Sequence, residues 1–212
     1  METYLFYIIR SCVSVVIIVF SSLYCCAQNA DINLLRDINK QRTAPMDKGM
    51  TGLTNSVYPI SGIVPVTELI VGYVEHDKMG ADNGWQTIAG LGVNTILTFG
   101  LKDVVSRARP YVTYTDINPY RHNTDASFPS GHTSYSFYTA GSLSLCYPKW
   151  YVIVPSYLWA ASVGYSRMYL GMHYPTDVLA GAVIGTGSAW LAYQGNKWLQ
   201  HRKSKRRAVK QE

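Results

Sequence analysis

Ser166-Arg167-Met168-Tyr169-Leu170-Gly171-Met172-His173-Tyr174-Pro175-Thr176-Asp177 joins two apolar segments, and its reading sets the rest of the chain in place. Pro175 suits the first turn of a helix, so a helix is expected to begin at Tyr174 or Pro175. His173 then stands just outside that helix and Asp177 in its first turn, where the helix dipole keeps a carboxylate ionised. From there Asp177 can fold back and accept the Nδ1 proton of His173. The imidazole would present a bare Nε2 lone pair, the arrangement of an activated nucleophile or base. Arg167 adds a permanent cation whose planar fork of donors suits an oxyanion.

Alone, this stretch reads equally well as an ordinary helix start with a chance histidine. Two other stretches change the weighting. Lys102-Asp103-Val104-Val105-Ser106-Arg107-Ala108-Arg109-Pro110 ends an apolar segment. Lys102 and Arg109 are spaced to share one face of a helix, which Pro110 would stop. Pro129-Ser130-Gly131-His132 opens the next helix. There Ser130 can cap, and Gly131 lets a ligand approach the backbone. A helix N-terminus with free N–H groups is an anion site. Residue type alone would allow a metal on His132, His173 and Asp177. Three cations converging on the same spot would repel it, whereas an oxyanion fits every group.

These three blocks resemble the signature of the type-2 phosphatidic acid phosphatase superfamily, which includes lipid phosphatases, bacterial class A acid phosphatases and vanadium haloperoxidases. The pattern is Lys, six residues, Arg-Pro; then Pro-Ser-Gly-His; then Ser-Arg, five residues, His, three residues, Asp. The chain carries it without substitution from Lys102 to Asp177. The resemblance implies a nucleophile at His173 oriented by Asp177, and a general acid at His132. It implies that Lys102, Arg109, Ser130, Gly131 and Arg167 hold the phosphoryl oxygens, and that neither metal nor cofactor is used. The chemistry implied is hydrolysis of a lipid phosphate or diphosphate through a phosphohistidine. Undecaprenyl diphosphate, phosphatidylglycerol phosphate, phosphatidic acid and lipid A phosphates are all open as substrates. The alternatives are a soluble periplasmic acid phosphatase and, further off, a vanadium haloperoxidase.

The 212 residues suffice for one domain with a sizeable core. Hydrophobic residues make up 48% and charged residues 15%, a low charge for a soluble domain. The 17 Tyr and 5 Trp suit a membrane interface, whereas a mean hydropathy near zero is modest for a membrane protein. Residues 1–27 read as a signal peptide or a first span: Arg10 precedes the apolar run Cys12 to Phe20, and small residues follow at Cys25-Cys26-Ala27. Three of the 4 Cys lie in that leader, which leaves no disulfide framework and no zinc spacing.

Leu34, Leu35 and Ile38 predict a short amphipathic helix at the domain edge. Apolar helices are expected over Pro59–Val74, Trp85–Leu101, His132–Tyr147, Trp150–Tyr165 and Pro175–Trp198, with spans of about sixteen residues against roughly twenty needed to cross a bilayer. Gly181, Gly185 and Gly187 offer close packing points in the last of them. No repeat and no strand-like alternation occurs, so the fold class is all-α: a membrane-spanning bundle of five to six helices, with the superfamily domain over 28–198. The basic run from His201 to Arg207 in the tail 199–212 reads as a cytoplasmic positive-inside flank and not as a nucleic-acid site. Counting back from that tail puts all three motif blocks outside the cytoplasm. The expected location is a bacterial inner membrane with the site facing the periplasm, or, in the soluble alternative, secretion to the periplasm. The expected partners are the membrane and a lipid phosphate.

Overall fold

The computed structural model describes residues 29–208, with side chains through Arg202; the expected leader, residues 1–27, lies outside them. Every regular element among the described residues is a helix. α1 covers residues 29–39, followed by α2 (Ala44–Asn55), α3 (Val57–Val74), α4 (Lys78–Val105), the single turn α5 (Pro110–Thr113), α6 (Gly131–Cys146), α7 (Trp150–Tyr169) and α8 (Pro175–Ala208).

The interior of the bundle is polar and its outside is apolar. α6 buries Thr133, Ser134, Ser136, Thr139, Gly141 and Ser142. α4 buries Gly80, Gly84, Thr87, Asn94, Thr98 and Lys102, a stripe at helical spacing. Ile63, Ile70, Val74, Ile96, Val154, Leu158, Leu179 and Val183 are exposed instead. This is the arrangement for helices solvated by lipid, where small and hydroxyl side chains mediate packing and aliphatic ones face the acyl chains. Among the described residues two helical stretches, Ala44–Val74 and Lys78–Thr113, are long and apolar enough to cross a membrane.

The core rests on α6 against α8. A Cβ at Gly185 would stand 2.3 Å from the Ser134 carbonyl oxygen, and one at Gly181 would stand 2.6 Å from that of Ser130. Gly187, expected to be a third contact point, has open space beside it. Hydroxyl pairs close the other seams: Thr98 with Ser134 at 2.9 Å, Ser61 with Thr139 at 2.8 Å, and Thr87 with Ser142 at 2.9 Å.

Three sequence expectations change. Several helices are longer than sixteen residues: α4 has 28, α7 has 20 and α8 has 34, while α6 keeps 16. α8 runs past Trp198, so the tail begins as helix, with Arg202 over the Trp198 ring. Lys102 and Arg109 do not share a helix. α4 ends at Val105, capped by Ser106 in the left-handed conformation (φ 47°), and Pro110 starts α5 where it was expected to stop a helix. Helix packing delivers Lys102, while an extended Arg109 is delivered by the turn.

Candidate active site

Leu170 to Tyr174 form a rigid turn between α7 and α8. Gly171 sits at φ +67°, and a Cβ there would meet the Asn118 carbonyl oxygen at 2.6 Å. The Leu170 amide donates to Ser166 O and that of Met172 to Arg167 O, at 2.9 and 3.0 Å. Asn39, from α1, pins the turn from outside: its Nδ2 donates to Tyr169 O at 3.0 Å and Asn118 O at 3.1 Å, and its Oδ1 accepts the Asn118 amide at 2.8 Å. His173 is thus buried at a fixed point.

The three blocks meet at this end of the bundle. Arg109 Nη1 lies 3.4 Å from His173 Nε2 and donates to Met172 O at 2.8 Å. Asp177 Oδ2 lies 3.6 Å from His173 Nδ1, beyond hydrogen-bond length. The same oxygen accepts from Ser127 Oγ at 2.5 Å and from the Tyr174 amide at 3.0 Å. Its partner Oδ1 accepts from Arg107 Nη1 at 2.7 Å. The expected pair is brought together with Ser127 in between, a spacing that ligand binding can tighten. Burial pushes His173 down to about 3; Asp177 opposes that shift, and the Arg167 and Arg109 charges add to it. The ring is therefore neutral at physiological pH, as a nitrogen nucleophile must be.

Arg167 is buried, and a single partner holds it: Nη1 donates to Thr54 Oγ1 at 2.9 Å. Its Nε and Nη2 are buried without a partner among the described residues. Lys102 and Arg109 are also buried, but the loop between α5 and α6 covers them. Asp125 accepts from Arg109 Nη2 at 2.8 Å and lies 3.1 Å from Lys102 Nζ. Burial alone would raise the Asp125 carboxyl, but the Arg109 and Lys102 charges outweigh it and hold it down to about 2.

At the start of α6, Ser130 is fully buried and its amide donates to Asp177 O at 3.0 Å, so that N–H is not the free donor expected. Gly131 has nothing within 4 Å of where a Cβ would be, which leaves room for a ligand over the helix N-terminus. His132 stands edge-on to Tyr58, ring centroids 4.9 Å apart, within electrostatic reach of Arg167, His173 and Arg109.

Several residues at the site have no place in the motif. Arg107 bridges Asp177 to Asp31, donating to the latter from Nη2 at 2.8 Å, and stacks on Tyr174 at 3.7 Å. Asp31 also accepts the Thr176 amide at 2.9 Å. Arg107 lies inside the first block, and a second cation beside a motif arginine is a signal that could have been followed. Asp31, Asn39 and Thr54 lie far upstream with no spacing signal.

A family model described as the PAP2 superfamily matches residues 83–200, more than half of the chain. The chain belongs to the PAP2 superfamily. The match begins after Asp31, Asn39 and Thr54, so part of the frame around this PAP2 site comes from outside it. The chain is 44% identical over 66 residues to the lipid A 4'-phosphatase of Bacteroides thetaiotaomicron, covering 31% of this chain and 29% of that one. It is 32% identical over 135 residues to the undecaprenyl-diphosphatase of Sulfolobus acidocaldarius, covering 62% of each. Among solved structures it is similar to Aquifex aeolicus LpxE, with a TM-score of 0.65 and 29% identity over 78% of this chain and 95% of that one. It is also similar to the transmembrane PAP2-type phosphatidylglycerolphosphate phosphatase of Bacillus subtilis, with a TM-score of 0.67 and 26% identity over 81% and 87%. The all-α membrane bundle is thus the fold of PAP2 membrane proteins.

Proposed function

We propose that the protein is a membrane phosphatase that hydrolyses a lipid phosphate monoester or diphosphate through a phosphohistidine at His173. The observation that carries this reading is the pair of buried, unpartnered guanidinium nitrogens on Arg167. Buried donors left unmade are costly, and a phosphoryl group satisfies both at once. It would rest close to Arg109, which itself lies 3.4 Å from His173 Nε2. Lipid A, undecaprenyl diphosphate and phosphatidylglycerol phosphate appear in the names of similar proteins, and these define the candidate substrates.

In the first step Nε2 of His173 attacks phosphorus as the P–O bond to the leaving group breaks, and His132 gives its proton to that oxygen. In the second, water attacks phosphorus, His132 takes the water proton, and the N–P bond breaks to release phosphate. Arg167, Arg109, Lys102 and the open amide end at Gly131 stabilise the charge on the equatorial oxygens. Asp177, with Arg107 and Ser127 behind it, holds the Nδ1 side of His173 and supports the imidazolium as it forms. On this reading side-chain cations and main-chain amides supply the positive field, so activity should survive chelators. We take residues 28–198 as the working domain, since Asp31 and Thr54 tie α1 and α2 to the site.

The test is phosphoenzyme trapping. The wild-type protein should yield an acid-labile, base-stable phosphoprotein on brief exposure to labelled substrate, and His173→Ala should yield none and no turnover. Labelled phosphoprotein from the alanine variant would refute the assignment. The site is also proposed to face the periplasm, because the basic flank after Trp198 favours the cytoplasm and one helix separates it from His173. A cysteine at 120 should react with an impermeant thiol reagent in spheroplasts, and one at 205 should not.

A further inference from the structure

We propose that Asp125 is an internal competitor for phosphoryl oxygens: its carboxylate occupies the Lys102–Arg109 half of the phosphate seat, and an incoming phosphoryl group displaces it. The inference rests on the phosphatase reading above and deepens it.

The geometry is that of a ligand already seated. The two carboxylate oxygens are spread over two cations, Oδ1 on Arg109 Nη2 at 2.8 Å and Oδ2 on Lys102 Nζ at 3.1 Å, as two phosphoryl oxygens would be. The cation side chains are 3% and 7% exposed, against 50% for Asp125. The carboxylate therefore lies between the cations and solvent. Every Arg109 nitrogen is engaged: Nε by Asp125 O at 3.0 Å, Nη1 by Met172 O, and Nη2 by the carboxylate. Lys102 Nζ is held by Ala126 O and the same carboxylate. Of these acceptors only the carboxylate is a side chain. The rest are main-chain carbonyls, so apart from the Nη1 edge of Arg109 that faces His173 Nε2 at 3.4 Å, a phosphoryl oxygen reaches Lys102 and Arg109 where the carboxylate now sits.

The exit is open and the backbone stays behind. Among the described residues the Asp125 carboxylate makes no bond beyond these two cations. The segment itself is anchored independently, by Arg109 Nε on Asp125 O and by the Ser127 amide on Arg107 O at 2.7 Å. Rotation about the Asp125 side chain swings the carboxylate into solvent without moving the seat.

A competitor displaced in both ground and transition states weakens binding uniformly, so it raises KM and leaves kcat alone. Apparent affinity is the intrinsic affinity scaled by the fraction of open seats. The group also speeds the escape of inorganic phosphate, since it re-enters as the product leaves.

The experiment is calorimetric binding of inorganic phosphate to the full chain in detergent, for wild type, Asp125→Asn, Asp125→Ala and Asp125→Glu, alongside KM and kcat on a soluble phosphate monoester. Asn and Ala should tighten phosphate by about tenfold, corresponding to loss of one charged competitor. KM should fall by the same factor with kcat no higher than wild type. Glu, which keeps the charge, should bind phosphate as weakly as wild type and shows that position 125 tolerates replacement. Equal or weaker phosphate binding in Asn and Ala, or a fall in kcat at constant KM, would overturn the competitor and leave Asp125 a scaffold for the cations. Absence of phosphate binding in all four proteins would instead overturn the reading of the seat, and the competitor with it.

Discussion

The two cationic corners of the site are built in opposite ways. Arg167 is buried with one neutral partner, Thr54, and two nitrogens unmatched. Lys102 and Arg109 are buried with every nitrogen engaged, by main-chain carbonyls and by Asp125. The first corner is preorganised at the expense of stability; the second is stabilised at the expense of readiness. The difference teaches where the strongest dependence on a single side chain should lie. Arg167→Lys should lower kcat/KM by about 10³-fold, since a rigid fork is replaced by a point charge and a donor aimed at the transition state is worth about 2.7–4 kcal/mol. Lys102→Gln should cost less, about 10–100-fold, because removing one cation also loosens Asp125 from the other. Steady-state kinetics on a soluble monoester checks both, and equal losses would erase the distinction between the corners.

Behind His173 the contrast continues. Arg107 is shared between Asp31 and Asp177, which ties α1 to the first turn of α8. Asp31→Asn keeps the shape and removes one charge. The remaining Arg107 charge then bears on Asp177 alone and draws its carboxylate away from His173. A drop of about tenfold in kcat with little change in KM is expected, as for a group that orients a base without touching substrate. A rise in KM at constant kcat would show that α1 shapes the seat itself.

The open corner has a smaller test of its own. Thr54→Val preserves volume and removes the only hydrogen bond to the Arg167 guanidinium among the described residues. About 1–2 kcal/mol of stability should be lost, the usual cost of a buried donor left unmade, and phosphate should restore more of it than in wild type by binding the folded state. Thermal unfolding with and without phosphate gives both numbers.

The His173 block was legible in sequence because its information is local: Gly171, Pro175 and Asp177 act within one turn, and α8 begins at Pro175 as expected. The bundle was legible because apolar runs and glycines mark membrane helices. The seven-residue spacing from Lys102 to Arg109 misled, since a left-handed residue breaks the helix between them and that residue is Ser106, not glycine. Asp125 carries no motif or spacing signal in the sequence; its contacts depend on where Lys102 and Arg109 end up. Asp31, Asn39 and Thr54 act across the fold, and nothing in their own neighbourhoods signals it. Helix lengths were underestimated at the ends: α4 takes in the polar stretch from Lys78 to Gly84 and runs on through Lys102 and Asp103 to Val105, where charge lowers hydropathy without stopping the helix.

The smallest expected effect separates the corners by acid. His173 has its folded value pushed down to about 3 by burial, against about 6.5 in an unfolded chain. Between those values the unfolded state binds the proton and the folded state does not, so stability falls as pH falls from about 6.5 toward 3. Asp125 is held at about 2 by its two cations, against about 3.9 when unfolded. Its contribution is fully present above that unfolded value and is lost only as pH falls through the folded one. Above pH 4.5, then, Asp125→Asn should run parallel to wild type in a plot of Tm against pH, offset by about 2 °C or less, since a half-exposed pair is worth about 0.5 kcal/mol. His173→Asn should make the slope shallower over the same range, because one of the buried groups that titrate there is gone. A His173→Asn profile that still falls as steeply as wild type would mean that the buried ring is protonated in the folded protein. The neutral nucleophile beside Arg109 would then have to be abandoned.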